Sequence, residues 1–269
     1  MVTKIHHNNI TGLIIECGYR PFVLTFYVGN RRILYRRWIM GKNNGKKEEM
    51  KNKFHVIDME SWPRSEHFTY YTEKLKTGYQ MTVEIDVTKL RKRCRKMIVR
   101  FYPAMIYAIM RAVNQNEAFR MAYNEKGQLG YYDVCHPSYT IFHEDDKTFS
   151  DIWTEYDESF DAFYDSVLAD MEKYQDVKGV KAKPDRPDAF TCISCVPWIT
   201  FQGLSHDTRG KKQMFFPIID FGRYYKTETK RRILPLSVYV NHAAADGYHT
   251  AKLLNDIQYN CTHCKEWMQ

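Results

Sequence analysis

A largely apolar stretch, Ala104 to Val113, follows Pro103 and is the feature that most constrains how this chain of 269 residues can fold. Proline is favoured in the first turn of a helix, because an N–H there has no partner within the helix. Apolar residues on nearly all sides predict a helix that other elements cover completely. Such a helix needs a large core, and the hydrophobic content of 44% and aromatic content of 15% permit one.

The other hydrophobic patterns alternate between strands and helices. Residues 81–87 place apolar side chains at every second position, which predicts a half-buried strand. Residues 124–127 are turn residues and predict a hairpin. Apolar β-branched runs predict core strands over residues 191–201 and 233–240, and apolar residues at helical spacing predict helices over 158–174 and 248–259. These elements predict an α/β fold of the α+β sandwich type, with a large mixed β-sheet flanked by helices.

The positive charge of the chain is concentrated near its N-terminus. Residues 1–50 hold nine Lys and Arg against three Glu, a surplus of six within a net charge of +8. Residues 42–53 are polar and charge-dense and predict a linker. We therefore divide the chain into a basic N-terminal extension, residues 1–49, and a domain at 50–269. The extension is either an appendage of the protein or disordered, non-native sequence upstream of a start at Met50.

The same segment sets the expectations for macromolecular partners. Arg and aromatic residues alternate over 31–38, a pattern that also occurs in proteins that bind RNA or an anionic membrane surface. Because most of the basic surplus lies in residues 1–50, we expect no nucleic-acid partner for the chain as a whole. No apolar run is long enough to span a bilayer, so we expect no membrane partner either.

The seven cysteines indicate free thiols in a reducing compartment. The N-terminal apolar stretches are short and interrupted by Arg, unlike a secretory signal peptide, so we expect a cytoplasmic protein. Cys192 and Cys195, with Cys261 and Cys264, have the spacing of a four-thiolate zinc site. The first pair lies in a predicted strand, where residues three apart face opposite sides. We therefore expect buried thiols and no metal.

The segment Asn241 to His249 is the best candidate site for chemistry. It joins an apolar strand to an amphipathic helix, and such junctions expose side chains at a rigid edge. Neutral His242 can accept a proton from an alcohol, and the three alanines after it are expected to leave room for a substrate. Asp246 suits a turn that its carboxylate stabilises. From the residues alone, His242 is either a catalytic base or a surface histidine before an Asp-Gly turn.

His242-x-x-x-Asp246-Gly247 resembles the signature of the CoA-dependent acyltransferases, which include the chloramphenicol acetyltransferases and the catalytic domain of dihydrolipoyl acyltransferases. More of the chain, from about residue 53 to about residue 260, is similar to the chloramphenicol acetyltransferases. The segments that carry this similarity occur in the family's order and are residues 61–68, with Trp62, Arg64, Glu66 and Phe68, and residues 101–104, 118–121, 139–143, 148–150 and 197–198.

The resemblance implies a function and a set of site residues. His242 would be the base that activates a hydroxyl of chloramphenicol for attack on acetyl-CoA, the co-substrate. Asp246 would have a structural role, paired with Arg64. Tyr79 and Phe142 would line an aromatic pocket for the antibiotic. The family also implies a homotrimer with active sites at the subunit interfaces.

Four departures from the family pattern affect this expectation. Asn241 replaces a second histidine, and residues 204–207 differ from the usual segment. Gly203 aligns with a serine that often donates to the oxyanion, and losing such a donor costs roughly two to three orders of magnitude in rate. Asp220 aligns with a threonine near the substrate, where an ionised carboxylate would oppose a developing negative charge. The alternatives are an acetyltransferase for another hydroxylated small molecule or a catalytically silent ligand-binding relative.

Overall fold

A computed structural model describes residues 2–7, 10–15, 22–28, 31–37, 52–207 and 214–269. Its contacts divide the chain into two units, Met1–Lys51 and Asn52–Gln269. In the first unit an antiparallel sheet forms in chain order from β1 (Val2–His7), β2 (Ile10–Ile15), β3 (Phe22–Val28) and β4 (Arg31–Arg37). Most of the predicted linker, residues 42–51, lies outside the described residues. The expectation for residues 1–49 stays a prediction.

The second unit has strands and helices interleaved along the chain. The strands are β5 (Phe54–Val56), β6 (Gly78–Asp86), β7 (Met121–Tyr123), β8 (Leu129–Tyr132), β9 (His136–Phe142), β10 (Phe149–Trp153), β11 (Phe190–Val196), β12 (Ile218–Gly222), β13 (Tyr225–Lys226) and β14 (Arg232–Asn241). The helices are α1 (Ser65–Thr69), α2 (Thr88–Met97), α3 (Phe101–Asn114), α4 (Phe160–Tyr174) and α5 (Gly247–Thr262). A π-helical turn, Tyr70–Lys74, follows α1, and a 3₁₀ turn, Glu117–Phe119, follows α3.

A seven-stranded mixed sheet organises this unit and confirms the predicted fold class. Its order is β10-β9-β11-β12-β14-β13, and β6 pairs with the other edge of β14. Strands β9, β11 and β12 are parallel to one another, whereas β14 is antiparallel to both β12 and β6. The predicted strand at 191–201 ends early, at Val196, because Pro197 has no N–H to continue the ladder.

Helix α3 is buried as its composition predicts. It packs against α5, α4 and the sheet, and its apolar side chains between Ala104 and Val113 have no solvent exposure. Leu236, Val238 and Val240 of β14 face this core, which leaves Ser237 and Tyr239 on the opposite face of the sheet. The two faces of β14 are therefore chemically different.

A second, smaller core lies beside the end of β14. Strands β5, β8 and β7 form a three-stranded antiparallel sheet. Its residues Met121 and Leu129 pack with Phe68 of α1, Phe215 and two of the alanines after His242, Ala243 and Ala244. Because Ala243 and Ala244 directly follow His242, this cluster fixes the turn that carries the candidate site.

Gly130 of β8 allows this small sheet to close. A Cβ at Gly130 would lie 2.2 Å from the backbone oxygen of His55 on β5. We expect Gly130→Ala to lower the free energy of unfolding by about 1–3 kcal/mol, because a backbone has to move. Gly203→Ala is the matched control, since a Cβ at Gly203 would meet nothing within 4 Å. Chemical denaturation measures both, and equal effects of the two substitutions would contradict this packing.

Candidate active site

The backbone around His242 is fixed by hydrogen bonds on both sides. The N–H of His242 donates to the carbonyl of Thr77, 3.1 Å away, just before β6. The side-chain oxygen of Asn241 accepts from the N–H of Ala243 at 3.0 Å, and the backbone oxygen of Asn241 accepts from Ala244 at 3.0 Å. Asn241, one of the departures from the family pattern, therefore stabilises the turn that presents His242.

The three alanines after His242 do not line an approach path for a substrate, so this part of the sequence prediction is wrong. Ala243, Ala244 and Ala245 are at most 1% exposed. Ala243 and Ala244 pack in the smaller core and Ala245 in the larger one. Their small size suits a sharp turn that is wedged between two cores.

Two tyrosine rings hold the imidazole of His242. The ring of Tyr71 stacks on it with centroids 3.9 Å apart and planes 7° apart, and Tyr79 meets it edge-on at 5.0 Å. Nδ1 of His242 is buried and has no hydrogen-bond partner among the described residues. Only Nε2 can therefore meet an incoming hydroxyl.

Tyr71 was not among the site residues predicted from the sequence. It lies in the π-helical turn Tyr70–Lys74, which does not follow the periodicity of an α-helix. Short π-helical turns often occur at functional sites. The adjacent tyrosines 70 and 71 after the Trp-x-Arg-x-Glu-x-Phe segment were the one available signal, and composition alone does not separate them from core aromatics.

Asp246 is the N-cap of α5. Its Oδ1 accepts from the N–H of Tyr248 at 3.0 Å and from Nδ1 of His249 at 2.8 Å. Burial by itself would raise the pKa of this carboxyl, but the hydrogen bond and charge of His249, together with Arg64, lower that pKa to about 2. Asp246 is therefore ionised at neutral pH and anchors the start of α5.

Arg64 immediately precedes α1 and joins that helix to Asp246 at the start of α5. Its Nη1 donates to Oδ2 of Asp246, and its side chain is 16% exposed. The structure thus joins the two residues that the family resemblance paired. Nε and Nη2 of Arg64 are buried without a hydrogen-bond partner among the described residues. One short ion pair therefore holds together segments that are 182 residues apart in sequence.

Tyr79 contacts both α5 and the imidazole of His242. Its hydroxyl is 2.7 Å from Oγ1 of Thr250. Burial raises the pKa of the Tyr79 hydroxyl, and the hydrogen bond with Thr250 partly opposes that rise. Tyr79 is therefore a neutral, oriented ring beside the imidazole.

The structure pairs Asp220 with His206, a contact that the sequence did not reveal. Asp220 lies on β12 and is 3% exposed, and its Oδ2 is 2.6 Å from Nε2 of His206. Burial raises the pKa of the Asp220 carboxyl, and the hydrogen bond and charge of His206 lower it. Gly203 is exposed in the same loop, before His206.

Phe142 lies far from His242 of the same chain. The register aligns Tyr239, Ile218, Cys192 and Ser138 across four strands. His242 and Phe142 extend from this row in opposite directions, seven residues in all. Strand geometry separates them by roughly 23 Å along the sheet and about 14 Å across it. The ring of Phe142 instead packs on Trp198, with centroids 4.7 Å apart.

Asp220 and Gly203 are also away from the His242 of their own chain. Asp220 pairs with Ser237, and His242 is five residues beyond Ser237, roughly 16 Å along the strand. Leu204, next to Gly203, accepts a hydrogen bond from Ser237. One chain therefore brings together His242, Tyr79, Asp246 and Arg64. It presents Phe142, Gly203 and Asp220 elsewhere on the sheet.

The cysteines form no metal site in the described part of the chain, where no cluster of metal-binding side chains occurs. Cys192 and Cys195 lie on β11, and burial raises the pKa of these thiols to about 11 and about 12. Six free cysteines lie among the described residues. No helix in residues 52–207 and 214–269 is long and apolar enough to cross a membrane.

Known proteins match this chain over its second unit. The family model described as chloramphenicol acetyltransferase matches residues 52–258. A chloramphenicol acetyltransferase of Clostridium perfringens is 38% identical over 216 residues, which is 80% of this chain and 98% of that protein. One from Vibrio anguillarum is 38% identical over 206 residues, covering 77% of this chain and 93% of the relative.

Solved structures show the same fold. A chloramphenicol acetyltransferase superimposes with a TM-score of 0.67 and 19% identity, over 77% of this chain and 99% of that one. A dihydrolipoamide acetyltransferase of Azotobacter vinelandii superimposes with a TM-score of 0.55 and 16% identity, over 71% of this chain and 84% of that one. The match to the family model, the identity to whole relatives and the shared fold agree: this chain belongs to the chloramphenicol acetyltransferase family.

Proposed function

We propose that this protein transfers an acetyl group from acetyl-CoA to a hydroxyl of chloramphenicol and so inactivates the antibiotic. The observation that carries the proposal is the His242 imidazole, which is clamped against Tyr71 at a rigid strand-to-helix turn in a chain of this family. A neutral imidazole in a fixed orientation can accept a proton from an alcohol without first losing conformational freedom.

His242 acts as the general base through Nε2. It takes the proton of the acceptor hydroxyl while that oxygen bonds to the carbonyl carbon of the thioester. The resulting tetrahedral intermediate carries a negative charge on its oxygen. When the C–S bond breaks, the imidazolium returns its proton to the departing sulfur of CoA. His242 is thereby regenerated, no acetyl-enzyme forms, and the reaction uses no metal ion.

Asp246 and Arg64 support His242 without taking part in proton transfer. Asp246 accepts from the first N–H groups of α5, and its pairing with Arg64 joins α1 to the same turn. Since α1 leads directly into the turn that holds Tyr71, this ion pair positions the ring that stacks on His242. Both partners therefore orient the base.

The substrate pocket is completed by a second copy of the chain, in a homotrimer with interfacial active sites. Phe142, Gly203 and Asp220 are too far from the His242 of their own chain to share a pocket with it. Across an interface, these residues of one copy and the His242 of another can face the same substrate. In this arrangement, residues that lie far apart within one chain contribute to the same active site.

The acceptor is the part of the proposal that the departures from the family pattern affect most. Asp220 and His206 form a polar pair at two of the positions where the chain departs from the family pattern. This pair favours, as a second candidate, an acceptor more polar than chloramphenicol. Acetyl-CoA is the acetyl donor in both cases, and a cytoplasmic location fits its use.

His242→Ala tests the base directly. We expect kcat to fall by about 10²- to 10⁴-fold, because proton removal from the hydroxyl loses its acceptor. The assay follows thiol release from acetyl-CoA with chloramphenicol as acceptor, and then with a panel of hydroxylated compounds. The matched control is His263→Ala, since His263 is exposed and stacks on Tyr259 at the far end of α5.

Thiol release that requires both an acceptor and His242 supports the enzyme. Turnover of folded His242→Ala near the wild-type rate would remove His242 as the base. A folded wild-type chain that binds chloramphenicol but releases no thiol with any acceptor would instead indicate a silent relative.

Asp246→Asn tests the supporting ion pair through its pH dependence. The pKa of Asp246 is about 2 in the folded protein and near 3.8 when unperturbed, so its ionised form stabilises the fold. That contribution is complete above about pH 4 and is lost as the pH falls towards 2. We expect the variant to unfold more easily than wild type at pH 7, and the difference to shrink towards pH 2.

Asp145→Asn provides the control, because Asp145 pairs with Lys178 on the surface and is 72% exposed. Its effect on the melting temperature at pH 7 should be small. Melting curves of Asp246→Asn that coincide with wild type at pH 7 would argue against the ion pair as a support of the site.

A further inference from the structure

Asp220 is a buried carboxylate that depends on His206. It lies in the middle of the mixed sheet, and its relative solvent exposure is 3%. The N–H at Nε2 of His206 donates to its Oδ2 over 2.6 Å. Buried ionised carboxylates are costly unless a partner donates to them. The hydrogen bond from His206 therefore offsets part of the free-energy cost of burying Asp220 on β12.

His206 is also tied to β6 through its backbone. Its N–H donates to Oε1 of Gln80 at 2.9 Å. Nε2 of Gln80 donates to Oγ of Ser237 at 2.7 Å, and Oγ of Ser237 donates to the carbonyl of Leu204 at 3.2 Å. Three strands, β6, β14 and β12, thus hold the described part of the loop that contains Gly203 and His206.

The loop lies on the sheet face opposite to the helices. Tyr79 of β6 points towards α5 and His242, and the next residue, Gln80, points to the other face and bonds to His206. The register pairs Gln80 with Tyr239, whose ring lies 6.5 Å from that of His206. One strand therefore connects the imidazole of the proposed base on one face to the His206 loop on the other.

Gly203 makes the position of this loop important for acetyl transfer. With no hydroxyl at 203, position 203 itself can offer its backbone N–H to a developing negative charge. Such groups stabilise a transition state only when the protein holds them in place beforehand. An unpaired, ionised Asp220 next to them would act in the opposite direction.

We propose that His206 is a positioning residue for acetyl transfer: paired with Asp220 and bonded to Gln80, it holds the Gly203–Asp207 segment so that its backbone donors face the reacting carbonyl. This inference rests on the proposed function. It assigns to the His206–Asp220 pair the task of a side-chain hydroxyl that this chain lacks at position 203.

The test compares two substitutions of His206 by steady-state kinetics in the full chain. We expect His206→Ala to lower kcat at least tenfold and to leave the KM for acetyl-CoA within about threefold, because the base and the bound thioester are unchanged while the donors move. His206→Gln should retain at least a third of wild-type kcat, because its side-chain N–H₂ can still reach Asp220. His263→Ala, the same substitution at an exposed histidine at the far end of α5, is the matched control and should match wild type.

A second variant separates positioning from stability. His206→Ala combined with Asp220→Asn carries no buried charge and should melt closer to wild type than His206→Ala does. Its kcat should nevertheless stay at least tenfold below wild type, since the side-chain bond from position 206 to β12 is lost and the backbone contacts with Gln80 and Ser237 alone do not fix the loop. Circular dichroism and melting curves establish that each variant is folded at the assay temperature.

The outcomes distinguish this inference from the proposed function. A folded His206→Ala or double variant with kcat within twofold of wild type overturns the role of His206 and leaves the acetyltransferase intact. A wild-type chain that releases no thiol with chloramphenicol or the acceptor panel removes the proposed function, and the role of His206 in it.

Discussion

The antiparallel pairing of β6 with β14 is the constraint on which the rest of the site depends. It runs without a break over nine residue pairs, from Asp86 with Ile233 to Gly78 with Asn241. At its end the carbonyl of Thr77 accepts from His242, so the two strands together fix the turn that carries the imidazole. The close approach at this end also requires Gly78, since a Cβ there would lie 2.2 Å from the Tyr239 hydroxyl.

The same two strands separate two chemical environments. On the helix side, Val238 and Val240 enter the main core and Tyr79 reaches α5 and His242. On the other side, Ser237 and Gln80 bind the loop that contains His206. A rigid sheet can hold both groups in fixed positions because strand side chains alternate between the faces. The imidazole of His242, the proposed base, and the proposed oxyanion donors therefore lie on the same two strands and point away from each other within a chain.

Hydrophobic periodicity predicted the elements, because burial of α3, β14 and α5 leaves a regular pattern in the sequence. Asp246 was expected to stabilise a turn, and the structure makes it the N-cap of α5. The role proposed for His242 rests on the resemblance to a family, since a histidine before an Asp-Gly turn is common in itself.

The remaining features have no local pattern. Tyr71 lies in a π-helical turn, where the periodicity of a helix does not apply. The pairing of Asp220 with His206 depends on the register of β12 and on the path of a loop, which the sequence does not specify. In the sequence, the two residues are therefore two unconnected departures from the family pattern. Small alanines suit either an open path or a tight core, and only the tertiary structure shows that Ala243 to Ala245 are buried. The position of Phe142 follows from strand order, which the sequence does not specify.

Mixing subunits would test most directly whether His242 works with residues of a second copy. Two variants of the chain are combined, His242→Ala, which lacks the proposed base, and Gly203→Trp, which fills the loop where a small residue leaves open space. Each alone should be inactive and trimeric by size-exclusion chromatography. After equimolar refolding together, random assembly should restore about one quarter of the wild-type rate of thiol release, because sites with both native halves form across the interface. If the mixture stays as inactive as its two components, the site does not combine His242 of one copy with Gly203 of another.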